Sequence, residues 1–182
     1  MPSKLLKLNL PDHWSDFLQA VDEKLEAPVK LHCMGGFVVE AVYGIPRRTA
    51  DLDYISVDPT SAATTLERIA GRGSKLAGEH SVHFQKVGVA DYPEDYEKRL
   101  SKLDLGLKML QLFALDPYDL VLSKLTRNIG KDREDVKALA QQQTLSFSIV
   151  SKRYEEEMKP WISNAEKQDL TLYTLWKDFF PR

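Results

Sequence analysis

Two short stretches of the chain hold residues whose types and spacing can do chemistry. The first runs from Gly35-Gly36 to Asp51-Leu52-Asp53. Asp51 and Asp53 lie two apart in a segment that reads as extended. Strand side chains alternate, so both carboxylates point to one face. Two like charges that close repel, and a cation between them removes that cost. Hard cations such as Mg²⁺ or Mn²⁺ take oxygen ligands and keep substrate phosphates in their remaining positions. Asp51 and Asp53 are therefore candidate metal ligands and candidate catalytic residues. Gly35-Gly36 stands between an apolar run and an amphipathic one, where a turn exposes backbone N–H groups and the helix dipole adds positive charge. Both glycines are candidates for gripping phosphates, and Arg47, Arg48 and Thr49, just before the carboxylates, can add contacts. A glycine pair alone marks a turn, and Asp-x-Asp alone commonly ends a solvated strand; the two in this order are more specific.

The second stretch is Asp119–Val136. Lys124 and Arg127 are three apart and share a helix face. A lysine there can reach a triphosphate as a point charge. Asp132 and Asp135 share a face of the following helix in the same way. Mixed charges at this spacing also describe an ion-paired, solvated face. Between the two stretches lies Ser81–Asp91, which reads as strand with His83 and Gln85 on one face and Val82 and Phe84 on the other.

The elements that must position these groups follow from periodicity and breakers. Helices are expected over Asp12–Leu25 with Asp12 as cap, Phe37–Tyr43, Ser61–Ala70, and from an Asp116 cap to about Arg127. Further helices are expected over Asp132–Gln142, Phe147–Lys159 and Asn164–Phe179. Strands are expected over Val29–Met34, Leu52–Val57, Val82–Ala90 and Leu107–Leu115. Strand and helix mix up to residue 115 and helix alone follows. The expectation is an α+β fold, with a 1–115 mixed-sheet core and a 116–182 helical region packed on it. Trp14, Trp161 and Trp176 sit in amphipathic segments and read as packing residues.

The 182 residues contain 25 Lys plus Arg and 27 Asp plus Glu, a formal charge of −2, which excludes a globally basic nucleic-acid binder. Cys33 is the one cysteine, so an intramolecular disulfide and a cysteine-based zinc site are excluded. His13, His32 and His80 show no metal-ligand spacing. No apolar run approaches the ~20 residues of a membrane helix, and Met1–Trp14 lacks the apolar run of a signal peptide. A cytoplasmic protein without a membrane partner is expected.

The order of strand, glycine pair, helix and Asp-x-Asp strand resembles the nucleotidyltransferase superfamily, whose fold is shared with DNA polymerase beta. Arg47-Arg48-Thr49-Ala50-Asp51-Leu52-Asp53 is closer still to one bacterial branch, the AbiEii/MenT-type toxins of toxin–antitoxin systems. Lys124-Leu125 followed by Asp132-Arg133-Glu134-Asp135-Val136 is similar to that branch's second motif. The likeness covers about residues 28–142. It implies a nucleotidyltransferase-like mixed β-sheet with flanking helices. It also implies Mg²⁺-dependent transfer of an NMP from an NTP to a tRNA or protein acceptor, and a possible cognate antitoxin as partner. By position it implies nucleotide binding at Gly35, Gly36, Arg48, Thr49 and Lys124, metal at Asp51 and Asp53, and acceptor orientation by Asp132 or Asp135. The superfamily carries a third carboxylate on a later strand, where this chain has His83 and Gln85; His83 as base or ligand and Asp91 at the strand end are the candidate substitutes. Two other readings stay open: a catalytically impaired nucleotide- or partner-binding module, and a transferase acting on an antibiotic.

Overall fold

The computed structural model describes residues 4–8 and 10–181. Two compact units emerge: residues 1–88 with 100–115, and residues 89–99 with 116–182. The first is an α+β unit built on six strands, β1 (Lys4–Lys7), β2 (Val29–Met34), β3 (Asp51–Asp58), β4 (His83–Lys86), β5 (Ser101–Asp104) and β6 (Leu110–Ala114). Their order across the sheet is β1-β5-β6-β2-β3-β4. β2 is central, antiparallel to β3 and parallel to β6, while β3 pairs with β4 in parallel. Among the described residues, four α-helices accompany the sheet: α1 (Asp12–Lys24), α2 (Gly35–Ala41), α3 (Ala63–Ala70) and α4 (Lys75–His80).

One sheet face carries the core. Leu31, Leu52, Tyr54, Phe84 and Leu112 are buried together with Trp14, Phe17, Leu18 and Val21 of α1. The rings interlock edge to face: Phe17 on Phe84 at 5.4 Å between centroids, and Trp14 on Phe37 at 4.8 Å. α1 is tied to the sheet by a polar contact as well. The Asp22 carboxylate accepts the backbone N–H groups of Lys108, Met109 and Leu110 at 3.0, 2.7 and 2.6 Å, where β6 begins. Burial pushes the Asp22 pKa up, but these three donors and the Lys108 charge outweigh it and hold it below the ordinary carboxylate range.

β3 does not alternate along its whole length. His32 pairs with Ser56 and Cys33 with Tyr54, so Ile55 is an extra residue on β3, a β-bulge. Before it, Leu52 and Tyr54 face the core. After it, Val57 faces the core opposite Leu31. The bulge absorbs a change of phase, and Asp51 and Asp53 share the second sheet face with Met34 and His32 of β2.

The second unit is helical: α5 (Pro117–Leu122), α6 (Gly130–Gln142), α7 (Phe147–Arg153) and α8 (Ala165–Leu170), with π-helical turns at Tyr154–Met158 and Thr171–Trp176 and a 3₁₀ segment at Glu94–Arg99. Asp119, fully buried on α5, takes Arg99 on both carboxylate oxygens at 2.8 and 3.0 Å and Arg153 at 2.8 Å. Arg99 also holds Glu157 at 2.6 Å. Leu120, Val136, Leu139, Val150, Leu172 and Trp176 form the apolar core.

The α+β class stands. Several boundaries differ from the sequence expectation. The cap of α1 is Pro11 without a side-chain bond, so Asp12 acts from inside the first turn. β4 stops at Lys86, and Val87–Ala90 is not strand. α5 stops at Leu122, where Ser123 turns its hydroxyl back onto the Leu120 carbonyl at 2.7 Å, and Lys124–Arg127 continue as turns. β1, β5 and α4 were not expected. Trp161 is 72% exposed and packs no core.

Candidate functional site

In the first unit, strand register brings the two signals of the sequence side by side. Met34 is the cross-strand partner of Asp53 and the last residue of β2. The chain must turn into α2 within one residue of that pair. Gly35 does this with φ +73°, a conformation that costs a residue with a Cβ roughly 1–2 kcal/mol. A Cβ at Gly35 would also lie 3.1 Å from the Asp53 Cβ and Cγ and would collide with its Oδ2. The glycine therefore lets the backbone approach the carboxylate directly. A Cβ at Gly36 would stand 3.0 Å from Arg47 Nε and 3.1 Å from Thr49 Oγ1. Thr49 in turn donates its hydroxyl to Asp51 Oδ1. Gly35, Gly36, Arg47, Thr49, Asp51 and Asp53 thus form one cluster at the end of β2 and the start of β3. Asp51 and Asp53 are half-buried, and Leu52 between them is fully buried. Arg48 is exposed, whereas Arg47 is half-buried against the glycines.

β4 completes this face. Asp51 is in register with His83, and Asp53 with Gln85. The His83 N–H donates to the Ala50 carbonyl at 2.9 Å, which fixes the strand entry. The His83 side chain is half-buried, and its Nε2 is buried without a hydrogen-bond partner. Asp91 does not belong to this strand: β4 has ended, and Asp91 lies in the 89–99 segment of the second unit. Cys33, beside the glycines, is inert. Burial raises its thiol pKa far above the ordinary range, with the Asp53 charge acting the same way.

Lys124, Asp132 and Asp135 lie in the second unit and come together there. Lys124 is 2% exposed; its Nζ is 2.8 Å from Asp135 Oδ2 and 3.7 Å from Asp132 Oδ1. Asp132 is fully buried and accepts two bonds from the Arg127 guanidinium, at 2.8 and 2.6 Å, and one from the Ile129 N–H at 3.2 Å. Burial raises the Asp132 pKa, but Arg127, Lys124 and the Ile129 N–H outweigh it and hold it low. These are charges with assigned partners inside a helical core.

Comparison with known proteins places the chain in a family. The family model described as "Nucleotidyltransferase of unknown function (DUF6036)" matches residues 16–182. The chain belongs to this family. No curated protein and no solved structure matches it. The match spans the glycine turn, the carboxylate strand and the Lys124 cluster, so both stretches singled out in the sequence are parts of one DUF6036 domain sequence. Among the described residues no helix is long and apolar enough to cross a membrane.

Sequence reasoning missed one feature of each cluster. The closeness of Arg47, rather than Arg48, to Gly36 depends on the path of the loop before β3, which has no periodicity to read. The burial of Lys124 runs against the ordinary exposure of lysine.

Proposed function

We propose that this DUF6036 protein transfers a nucleoside monophosphate from an NTP to an acceptor hydroxyl, with Asp51 and Asp53 holding a divalent cation. One observation carries the reading: the Gly35 backbone is pressed against the Asp53 carboxylate while Asp51 and Asp53 share a half-open face. A phosphate gripped by backbone and a cation gripped by carboxylates then meet at one point. The donor set fits a hard cation. Among the described residues no third carboxylate, histidine or cysteine joins the pair to close a protein cage, which leaves coordination positions for phosphate oxygens and water. When bound, such a cation supplies charge neutralisation and Lewis-acid polarisation of the phosphate.

The chain's own groups do the rest. Gly35 and Gly36 admit the phosphates to the backbone. Arg47, beside Gly36, offers a planar fork of donors, and Arg48 adds charge from the exposed side. Thr49 fixes the orientation of Asp51 through its hydroxyl bond. Lys124, Asp132 and Asp135 are buried and mutually paired, which supports an architectural role for them rather than a direct phosphate contact. Within this reading we favour an RNA acceptor such as a tRNA 3′ end, or a protein. A toxin role with a cognate antitoxin is supported by the Arg47-x-Thr49-x-Asp51-Leu52-Asp53 pattern.

The test is label transfer. The protein is incubated with Mg²⁺, each α-phosphate-labelled NTP in turn and total bacterial tRNA, with Asp53→Asn alongside. Label on RNA or protein, lost in the variant with its fold intact, is the expected result and identifies base and acceptor class. Label retained in Asp53→Asn removes the metal-site reading. No label with any NTP leaves the binding-module reading.

A further inference from the structure

One row of the carboxylate face carries a phenylalanine among polar side chains. Strand register sets Lys102 of β5, Phe113 of β6, His32 of β2 and Ser56 of β3 in line across the sheet. The next row toward the glycine turn is Met34 of β2, Asp53 of β3 and Gln85 of β4. The core takes Leu110, Leu112 and Ala114 from β6, so Phe113 points the other way. The helices of the first unit lie on the core side. Phe17 of α1 meets Phe84 of β4 and His80 of α4, Phe37 of α2 meets Trp14, and α3 packs against α1. A phenylalanine on the polar side of such a sheet does not serve that core. Phe113 is nonetheless fixed: it is half-buried and meets His32 edge to face, at 6.1 Å between ring centroids and 71° between planes.

The position of this ring relative to the carboxylates suggests its use. The Phe113 Cα lies two strands and two residues from that of Asp53, about 12 Å at ordinary sheet spacing. A nucleotide held by its phosphates at the glycine turn and Asp53 covers that gap with its sugar and brings its base over the ring. On the other flank, Phe84 of β4 faces the core and His83 Nε2 is buried. A tether joins the two ends of the span. Tyr43, just past α2, donates its hydroxyl to the Leu115 carbonyl at 2.7 Å, which ties the segment after the glycine turn to the end of β6.

We infer that Phe113 is the stacking platform for the base of the bound NTP, with His32 as the side wall of that subsite. The assignment rests on the nucleotidyl-transfer reading and adds what receives the nucleoside. A stack reads the π face, which every base has, and not the hydrogen-bonding edge. Discrimination among the four NTPs is then modest and follows stacking strength.

The experiment compares wild type, Phe113→Ala and Phe113→Trp by calorimetric titration in Mg²⁺. The probes are inorganic tripolyphosphate and the α,β-methylene analogues of the four NTPs. Tripolyphosphate reads the phosphate–cation grip alone. Expected for Phe113→Ala is that every analogue binds about 5–150-fold more weakly, the worth of one base–aromatic stack. Its tripolyphosphate affinity holds, which reports an intact site, and Phe113→Trp binds the analogues at least as well as wild type. Analogue affinity unchanged in Phe113→Ala overturns the platform alone, and so does a loss confined to one base. Equal loss of tripolyphosphate and analogue affinity also overturns it, by making Phe113 a support of the fold. A wild type that binds neither tripolyphosphate nor any analogue overturns the nucleotidyl-transfer reading and the platform with it.

Discussion

Gly35 joins the two halves of the candidate site, and substituting it measures how tightly they are joined. Gly35→Ala meets two costs. The first is conformational: φ is +73°, and alanine there loses roughly 1–2 kcal/mol. The second is steric: the new Cβ falls 3.1 Å from the Asp53 Cβ and Cγ and onto its Oδ2. The carboxylate can swing aside by side-chain rotation, but the Asp53 Cβ cannot, because it is carried on a strand held in register with Met34. Overpacking of this kind costs typically ~1–3 kcal/mol. The matched control is Gly44→Ala, which has φ +66° and no atom within 4 Å of the added Cβ, so it carries the first cost without the second. The expected loss is about 1–2 kcal/mol for Gly44→Ala and about 2–5 kcal/mol for Gly35→Ala. For a chain of this size that difference is a fall of several degrees in melting temperature. Urea unfolding followed by circular dichroism gives both numbers from midpoint and slope. Label transfer should survive in Gly44→Ala and fail in Gly35→Ala. If Gly35→Ala costs no more than Gly44→Ala, the glycine and the carboxylate are not in contact, and the joint phosphate–cation site goes with them.

Two further outcomes follow from buried charges. Asp22→Ala removes the acceptor of three backbone N–H groups at the start of β6 and should cost about 3 kcal/mol in urea unfolding. Because the folded pKa of Asp22 is lowered, its contribution is present above the ordinary carboxylate range and is lost as pH falls through the folded value. The gap between wild type and variant should therefore shrink below about pH 4, and a gap that stays constant would refute the assignment. Lys124→Met leaves Asp135 buried without its ammonium and should cost about 3–5 kcal/mol, with most of it recovered in the Lys124→Met/Asp135→Leu double variant. Unchanged stability with lost transfer would instead make Lys124 a substrate ligand.

The parts of this fold that were legible in the sequence are those set by local chemistry. The glycine pair, the Asp-x-Asp strand, and helices such as Asp12–Lys24 with Trp14, Phe17, Leu18 and Val21 on one face all announce themselves within a few residues. The missed strands, Lys4–Lys7 and Ser101–Asp104, are four residues long, carry charges and are defined by their partners: they pair with each other in parallel, and Ser101–Asp104 also pairs antiparallel with β6. Helix α4 is six residues long and contains Gly78, so propensity argues against it; the Ser74 side chain capping the Ala77 N–H starts it. Val82–Ala90 reads as one strand because Val87 and Val89 extend the pattern. Pairing with β3 ends once Lys86 has matched Tyr54. The partners of Lys124 lie on the next helix, Asp135 eleven residues away, and only tertiary packing brings them under it.

The bulge at Ile55 has a consequence for how this strand tolerates change. β3 carries two phases, one for Asp51–Tyr54 and another for Ser56–Asp58, spliced at one surplus residue. Removing Ile55 would leave a strictly alternating strand in which Leu52, Tyr54 and Val57 still point inward and Asp51 and Asp53 still point outward. A residue inserted between Asp53 and the bulge would instead shift the frame of everything before it and turn both carboxylates toward Phe84 and Phe17. Length variation in this strand is therefore directional: the fold can shed a residue at the splice without touching the chemistry, but it cannot gain one beside the carboxylates.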